Sequence, residues 1–173
     1  DERVPVGGDD VEVVRVVAAV LTEVAGESVR RAGGVPPVRT VLTHPARWAG
    51  TAVAMLVRAA DIAGLGPAEL VAEPVAAGHG TIGLPQQDGP VAVYDLGGGT
   101  FDAAVLRPTG ETWSLAGRPG GIDSIGGEAV DAALHRYLID QLRSTDPDMS
   151  RALDQPNDLV ERRHGRTWWN DLR

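Results

Sequence analysis

Apolar residues recur at helical spacing in two segments of the first half of the chain. In residues 11–32, "VEVVRVVAAVLTEVAGESVRRA", valine and leucine fall three or four positions apart, which is typical of a helix with one buried face. Asp9 and Asp10 precede this segment and a Gly-Gly pair follows it, so acidic start signals and glycine stop signals bracket the predicted helix. The alanine-rich residues 49–65, "AGTAVAMLVRAADIAGL", predict a second helix that glycines close.

β-Branched and aromatic residues indicate the strands. Two short strands, "VRTVLTH" and "AELVAEP", alternate with the helices, and "VAAGHGTIGL" predicts a short helix followed by a loop. After the turn-like "PQQDGP", "VAVYDL", "FDAAVLRP" and "TWSLAGRPG" predict three strands in hairpin succession, and "IGGEAVDAALHRYLIDQLRS" predicts a third long helix. This order predicts a mixed α/β fold with parallel strands where helices cross over. The turn is the predicted boundary between residues 1–84 and residues 85–173.

Composition narrows the classes of function. The 173 residues are 43% hydrophobic and 23% charged, with a formal net charge of -8, no cysteine and no lysine. An acidic chain lacks the basic patches on which non-specific nucleic-acid binding depends. The longest apolar run, "VVRVVAAVL", is far shorter than the roughly 20 residues of a membrane span. We therefore expect a cytoplasmic protein in which this chain contacts neither nucleic acid nor membrane.

Three consecutive glycines separate two predicted strands in "VAVYDLGGGTFDAAVL". Glycine adopts backbone angles that other residues avoid, and such a turn leaves room for an anion against a nest of backbone N–H groups. We expect Asp95 to hold Mg²⁺ through water, Thr100 to donate its hydroxyl to a phosphate, and Asp102 to orient or deprotonate an attacking water. The alternative is a plain glycine-rich hairpin, which explains neither the acids nor the threonine. The three glycines are Gly97, Gly98 and Gly99.

Three motifs, in order, resemble one protein family. "DLGGGTFD" resembles the second phosphate motif of the heat shock protein 70 (Hsp70, DnaK-type) chaperones, which belong to the actin-like ATPase superfamily. "VLTHPARWAGTAVAMLVRAADIAGLGPAELVAEPVAAGHG" resembles the family segment that runs from "VPAYF" to "NEPTAAALAYG". "IDSIGGEAVDAALHRYL" resembles the helix start "LGGEDFD" of the same family. The resemblance covers residues 11–143.

The resemblance implies part of an actin-like ATPase (ribonuclease H-like) fold. Residues 1–84 would be the end of lobe I, and residues 85–173 would be the first part of lobe II, with its strand meander, phosphate loop and helix. It also implies that the parent protein binds ATP or ADP with Mg²⁺ and hydrolyses ATP. A C-terminal substrate or partner domain in that longer parent would use the resulting conformational change.

The same resemblance assigns roles to individual residues. Asp95 matches a metal-proximal aspartate, and Glu73 matches a glutamate that lies near the magnesium and helps to sense nucleotide. We count Glu73 among the candidate catalytic residues for this reason. Thr100 and Asp102 match the neighbourhood of the nucleophilic water, and Pro45 matches a proline proposed as a conformational switch. The start of the third predicted helix, at residues 126–128, would present free N–H groups to an anion. The residues matched to nucleotide-binding loops are Gly97, Gly98, Gly99, Gly126, Gly127 and Glu128.

Several features depart from the family pattern. Arg47 and Val53 stand where the family has a tyrosine and an arginine, and His44 replaces a valine. The first phosphate loop, the catalytic lysine and the adenosine-binding helix of the family are not found in this sequence. We therefore expect weak or no ATP turnover by this chain alone. The alternative functions are a degenerate, non-hydrolysing interaction scaffold and an actin-like sugar kinase or filament protein.

The resemblance also raises a question about sheet edges. In the actin-like fold this stretch would supply the last two strands of one sheet and the first three strands of another. Each partial sheet would end at an unpaired central strand, and open edges favour pairing with another chain. Three arrangements would resolve this: a permuted single sheet in which residues 91–95 pair beside residues 38–43, a dimer through the open edges, or completion by a longer parent protein.

Overall fold

The computed structural model describes residues 2–85, 89–157, 161 and 167. Strands and helices alternate along it, which confirms the mixed α/β class. The strands are β1 (Arg3–Val6), β2 (Asp9–Glu12), β3 (Val41–His44), β4 (Glu69–Ala72), β5 (Val91–Leu96), β6 (Phe101–Thr109), β7 (Thr112–Leu115) and β8 (Gly120–Ile122). The helices are α1 (Val13–Arg31), α2 (Thr51–Ile62), α3 (Glu73–Ala77), a π-helical turn (Gly78–Ile82), α4 (Gly127–Thr145) and α5 (Pro147–Asp154).

The chain divides into two compact units. The first unit contains residues 1–94 and 103–120, and the second unit contains residues 95–102 and 121–173. The division cuts through β5 and β6, and it assigns the glycine-rich turn and α4 to the same unit. The boundary between two lobes at residue 84 stays a prediction. Residues 86–88 of the turn used to predict it lie outside the described part of the chain.

A β-hairpin precedes the first long helix. β1 and β2 pair antiparallel across a two-residue turn, in which Gly7 and Gly8 have φ values of 61° and 100°. Two-residue hairpin turns require this positive φ. The prediction that Asp9 and Asp10 start a helix is wrong, because both belong to β2 and α1 begins at Val13. The missed signal is the alternating "VPVGGDDVEV", whose Gly-Gly pair is a hairpin turn signal.

The core of the first unit lies where α1 packs against α2. Val14, Ala18 and Ala59 are almost fully buried at this crossing. The predicted helices are confirmed, but the buried face of α1 is narrower than its valine pattern indicates. Val20 and Val24 share the helical periodicity and still remain 60% and 59% exposed. The small alanine side chains explain the close crossing, since they let two helix backbones approach.

β3 precedes α2 in the chain and β4 follows it. The two strands pair in parallel, as expected for strands that a helix connects. His44 lies opposite Ala72 at the carboxyl end of the pair. The two strands make a sheet of their own. In the described parts of the chain, therefore, β5 does not pair beside β3, and the permuted single sheet is wrong.

The second sheet contains β5, β6 and β7 in that spatial order, and β8 also pairs with β6. β6 and β7 pair antiparallel, with Pro108 opposite Trp113. Leu106 and Trp113 are the most buried side chains of this pair, at 0% and 3% exposed. The single predicted strand "TWSLAGRPG" is wrong, since β7 ends at Leu115 and β8 begins at Gly120.

The second unit contains two consecutive helices, α4 and α5. Asp146 caps α5 by accepting a backbone N–H of its first turn at 3.0 Å, and Pro147 occupies the first helical position, where its missing N–H costs nothing. The Ser150 hydroxyl donates to the Ile139 carbonyl of α4 at 3.1 Å. Within the described ranges, no helix has the length and apolar character of a membrane span.

Candidate functional site

A tight glycine turn connects β5 to β6. The Gly97 N–H donates to the Thr100 carbonyl at 2.9 Å and closes the turn. Gly98, Gly99 and Thr100 are exposed. A Cβ atom built on Gly98 or Gly99 would meet no atom of the described residues within 4 Å. The turn therefore leaves space in front of its backbone, as close approach of a bulky anion requires.

Left-handed backbone angles do not explain the three glycines of the turn. None of Gly97, Gly98 and Gly99 has a positive φ. The expectation that they adopt the positive φ angles that other residues avoid is therefore wrong. The missing side chains of Gly98 and Gly99 remain as a physical reason for these two glycines, because a side chain at either position would project into open space.

The beginning of α4 packs directly on the backbone of this turn. Gly126 precedes the helix and is buried. A Cβ atom at Gly126 would lie 2.6 Å from the Gly98 carbonyl oxygen and 2.6 Å from the Gly99 carbonyl carbon. Real Cβ atoms do not approach backbone so closely, so only glycine fits at position 126.

Two hydrogen bonds join the turn to α4. The Gly127 N–H donates to the Gly97 carbonyl at 2.8 Å, and the Glu128 N–H donates to the Gly98 carbonyl at 2.7 Å. These are two of the N–H groups that a helix N-terminus leaves without partners inside the helix. The prediction that this helix start presents free N–H groups to an anion is therefore wrong for these two. Their role is to hold the turn in place.

The polar side chains of the motif lie around this turn in the same unit. Asp95 is an exposed residue near the end of β5, and Asp102 is a half-buried residue near the start of β6. Thr100 is exposed on the turn between them. The second unit thus brings together Asp95, Thr100 and Asp102 with the turn and with Gly126, Gly127 and Glu128. Asp95 thus precedes the turn and Asp102 follows it, on the two strands that the turn connects.

Glu73 and Pro45 lie next to the carboxyl ends of two neighbouring strands in the first unit. His44 and Ala72 are partners at the carboxyl ends of β3 and β4, so Pro45 and Glu73 each follow directly after the paired strands. Glu73 begins α3 and is half-buried. The His44 imidazole Nδ1 lies 2.9 Å from the Pro45 carbonyl oxygen. The glutamate and the proline that the resemblance singles out in this unit therefore follow the two strands of one parallel pair.

Comparison with known proteins gives these residues a family context. The family model described as Hsp70 protein matches residues 2–161. The chain belongs to the Hsp70 family. The Hsp70 relatives that it matches include the chaperone protein HscA homolog of Pseudomonas putida, which is 36% identical over 143 residues. The chaperone protein HscA of Pectobacterium atrosepticum is 37% identical over 142 residues.

This Hsp70 chain corresponds to a minor part of its relatives. The aligned region is 80% of the chain but 23% of the Pseudomonas protein, and 82% of the chain but 22% of the Pectobacterium protein. The chain therefore spans less than a quarter of the length of these two curated relatives. Membership of the Hsp70 family implies an actin-like ATPase fold, with which the observed mixed α/β elements agree, and it favours a chaperone over a sugar kinase or filament protein.

The residues of this Hsp70 chain fit a magnesium ion that is bound together with phosphate. Within residues 2–85, 89–157, 161 and 167, no group of three or more His, Cys, Asp or Glu side chains could hold a metal by itself. Magnesium usually takes one or two carboxylates and completes its shell with waters and substrate phosphates. In the second unit, one carboxylate, that of Asp95, next to an open glycine turn agrees with this kind of site, and the metal role of Glu73 in the first unit stays a prediction.

One contact group in this Hsp70 chain escaped the sequence analysis. The π-helical turn after α3 packs against β6 and β7, where Gly78 contacts Leu106 and Trp113. The Trp113 indole N–H also donates to the Gly83 carbonyl at 2.9 Å. Two signals in the sequence were available. Glycine destabilises a helix, so the glycine in the helix-forming "EPVAAGHG" indicates a close contact. A large tryptophan at an alternating strand position needs a partner surface and a hydrogen-bond acceptor for its N–H.

Proposed function

We propose that this chain is part of the ATP-binding and ATP-hydrolysing domain of an Hsp70-type chaperone, comprising the end of lobe I and the first part of lobe II. The observation that carries this proposal is the fit of the glycine turn on the start of α4. Gly126 has no room for a side chain, and two N–H groups of α4 hold the Gly97 and Gly98 carbonyls. The protein thus fixes an open, exposed backbone turn between two carboxylates.

Each polar residue of the candidate site has a different role in the proposed phosphoryl transfer. The Thr100 hydroxyl donates a hydrogen bond to a phosphate oxygen, and the backbone of residues 97–99 lies against the phosphates. Asp102 orients the attacking water and accepts its proton. Asp95, through water, and Glu73 would hold the metal. Magnesium, when bound, neutralises the charge of the phosphate oxygens, and positioning and charge stabilisation are most of what phosphoryl transfer needs.

We expect weak or no ATP turnover by these 173 residues alone. The family's first phosphate loop and its catalytic lysine have no counterpart in this sequence, which contains no lysine at all. Catalysis depends on protein groups that position the phosphates from both sides. The phosphate contacts of this chain come from one side, so we expect binding without efficient hydrolysis. In the parent protein, the missing part and a C-terminal partner domain would complete the ATPase and use its cycle, in the cytoplasm.

A non-hydrolysing scaffold is the second candidate, and one observation favours it. The Gly127 and Glu128 N–H groups already donate to the turn, so the turn is stable without a phosphate. Val53, which stands where the family has an arginine, agrees with a loss of nucleotide coupling. A scaffold would bind partners through exposed sheet edges, including the edge of a second copy, and would have no need of magnesium.

Nucleotide titration decides between the two candidates. The full-length protein that contains this chain is titrated with ATP in excess Mg²⁺ and again in excess chelator, and an Asp95→Asn variant is titrated alongside. Asparagine keeps the size of the side chain and removes its charge. We expect about tenfold weaker binding when either Mg²⁺ or the carboxylate is removed, which is the lower end of the effect of losing a group that orients a metal.

Two results would count against the ATPase proposal. Equal ATP affinity with and without Mg²⁺, together with an unchanged affinity of Asp95→Asn, would remove the metal role. Absence of any ATP binding by a folded full-length protein would favour the scaffold. The unfolding curve of Asp95→Asn serves as the control, because an exposed aspartate should leave the free energy of unfolding within about 0.5 kcal/mol of wild type.

A further inference from the structure

The helical segment that starts at Glu73 is anchored at both ends. Its first residue follows Ala72, which is paired with His44 in the parallel sheet. The segment continues from α3 into the π-helical turn without interruption and ends at Ile82. Short π-helical stretches occur frequently at functional sites. The orientation of Glu73 therefore depends on what holds the far end of this segment as well as on the sheet.

Trp113 of β7 holds that far end through its ring. The Trp113 side chain is 3% exposed and Leu106 beside it is 0% exposed. A Cβ atom on Gly78 would lie 2.7 Å from Leu106 Cδ1 and 3.3 Å from Trp113 Cδ1. The ring and the leucine thus occupy the position that a side chain at residue 78 would need, and the helix backbone rests directly on them.

Trp113 also holds the segment through its indole N–H. The N–H donates to the Gly83 carbonyl at 2.9 Å, immediately after the π-helical turn. Next to it, His79 Nε2 lies 3.0 Å from the Thr112 hydroxyl oxygen. The anchor therefore has a packed part on Gly78 and a directional part on Gly83.

We propose that Trp113 is a positioning residue that acts through Glu73, and this proposal rests on the proposed role of Glu73 beside the magnesium of bound nucleotide. Gly78 lies five positions after Glu73, which is about 7.5 Å of helix. Pro74 stiffens the first turn of the segment. A shift at Gly78 is therefore transmitted along a short, stiff helix to the Glu73 carboxylate.

The test uses a Trp113→Phe variant of the full-length protein. Phenylalanine keeps an aromatic ring against Gly78 and lacks the N–H that reaches Gly83. ATP dissociation constants are measured by calorimetry in Mg²⁺ and in chelator, and their ratio gives the part of the affinity that depends on magnesium. We expect Trp113→Phe to lower this ratio about tenfold, as loss of a group that orients a metal ligand does, and to leave the affinity in chelator unchanged.

A double-mutant cycle with Glu73→Gln separates positioning from general destabilisation. If Trp113 acts through Glu73, Trp113→Phe has no further effect on the ratio in the Glu73→Gln background. Val14→Ala is the control variant, because it removes buried packing in the same unit between α1 and α2. It should lower the unfolding temperature and leave the ratio unchanged.

The outcomes distinguish this inference from the function on which it rests. A wild-type protein that binds ATP equally well with and without Mg²⁺ overturns both. A wild type with a clear Mg²⁺ dependence overturns the role of Trp113 alone in three cases: Trp113→Phe keeps the wild-type ratio, its effect adds to that of Glu73→Gln, or Val14→Ala lowers the ratio as much. A lowered ratio that is absent in the Glu73→Gln background supports it.

Discussion

Gly126 and Gly78 are each fixed by close contact, and the atoms that they contact differ. Gly126 of the second unit lies against backbone, with a Cβ position 2.6 Å from the Gly98 carbonyl oxygen. Gly78 of the first unit lies against side chains, with a Cβ position 2.7 Å from Leu106 Cδ1. A backbone carbonyl that already accepts a helix N–H cannot move without breaking that hydrogen bond. A leucine methyl group can move when the neighbouring side chains rearrange. The contacting atoms therefore determine how each site responds to a methyl group.

The strongest challenge to this comparison is Gly126→Ala. The added methyl group would meet the Gly98 carbonyl and the Gly99 carbonyl carbon at 2.6 Å. It would also force apart the two hydrogen bonds between α4 and the turn. We expect a loss of about 3 kcal/mol of unfolding free energy or more, at the upper end for overpacked sites, measured by urea denaturation. A stability within about 0.5 kcal/mol of wild type would show that the contact relaxes easily.

Gly78→Ala should cost less and, unlike Gly126→Ala, it should be rescued by a second substitution. We expect a loss of about 1–2 kcal/mol, since small-to-large changes in packed cores typically cost 1–3 kcal/mol. Leu106→Val shortens the side chain that the new methyl group meets. The double variant should therefore be more stable than the sum of the single losses predicts, by about 0.5 kcal/mol or more, the usual lower limit for residues in contact.

The control for that rescue is Leu106→Val combined with Gly126→Ala, where no compensation is expected because the clash involves backbone. Urea denaturation of the wild type, the three single variants and the two double variants measures both couplings. Strict additivity of Gly78→Ala and Leu106→Val would mean that the Leu106 methyl is not the obstacle. The whole contrast between the two glycines would then be wrong.

Gly98→Ala should have the smallest effect on stability and a separate effect on binding. Gly98 is exposed, its φ is not positive, and its Cβ position meets no atom of the described residues within 4 Å. We expect a free energy of unfolding within about 0.5 kcal/mol of wild type. ATP affinity should nevertheless fall, because the methyl group occupies the space in front of the turn. An unchanged affinity would indicate that phosphate does not approach this face.

Much of the fold follows from local patterns in the sequence. The alternation of helices and strands, the parallel pairing of β3 and β4, and the glycine turn between β5 and β6 all rest on periodicity, propensity and turn chemistry, and they are confirmed. The hairpin at Gly7 and Gly8 was missed because the acids that follow it also resemble a helix start. In that case the two acids pair in a strand, although acids at this place are also typical of a helix start.

The candidate site contains contacts that local sequence patterns do not predict. The residue types of "DLGGGTFD" predict a turn with acids on both sides, and the structure has that turn. Sequence alone could not tell that Gly126 fits only against Gly98, or that two N–H groups of α4 are used by the turn. Both facts depend on contacts between residues far apart in the chain. The fit of Gly78 on Leu106 and Trp113 escaped prediction for the same reason.

The two hydrogen bonds from α4 to the turn have a consequence for experiments in solution. The amide protons of Gly127 and Glu128 should exchange slowly with solvent as long as the turn stays on the helix, although they lie at a helix start, where amides usually exchange fast. Their exchange rates therefore measure the opening of the turn. This makes it possible to follow the turn residue by residue in the protein without nucleotide, before any ligand or catalytic assay is available.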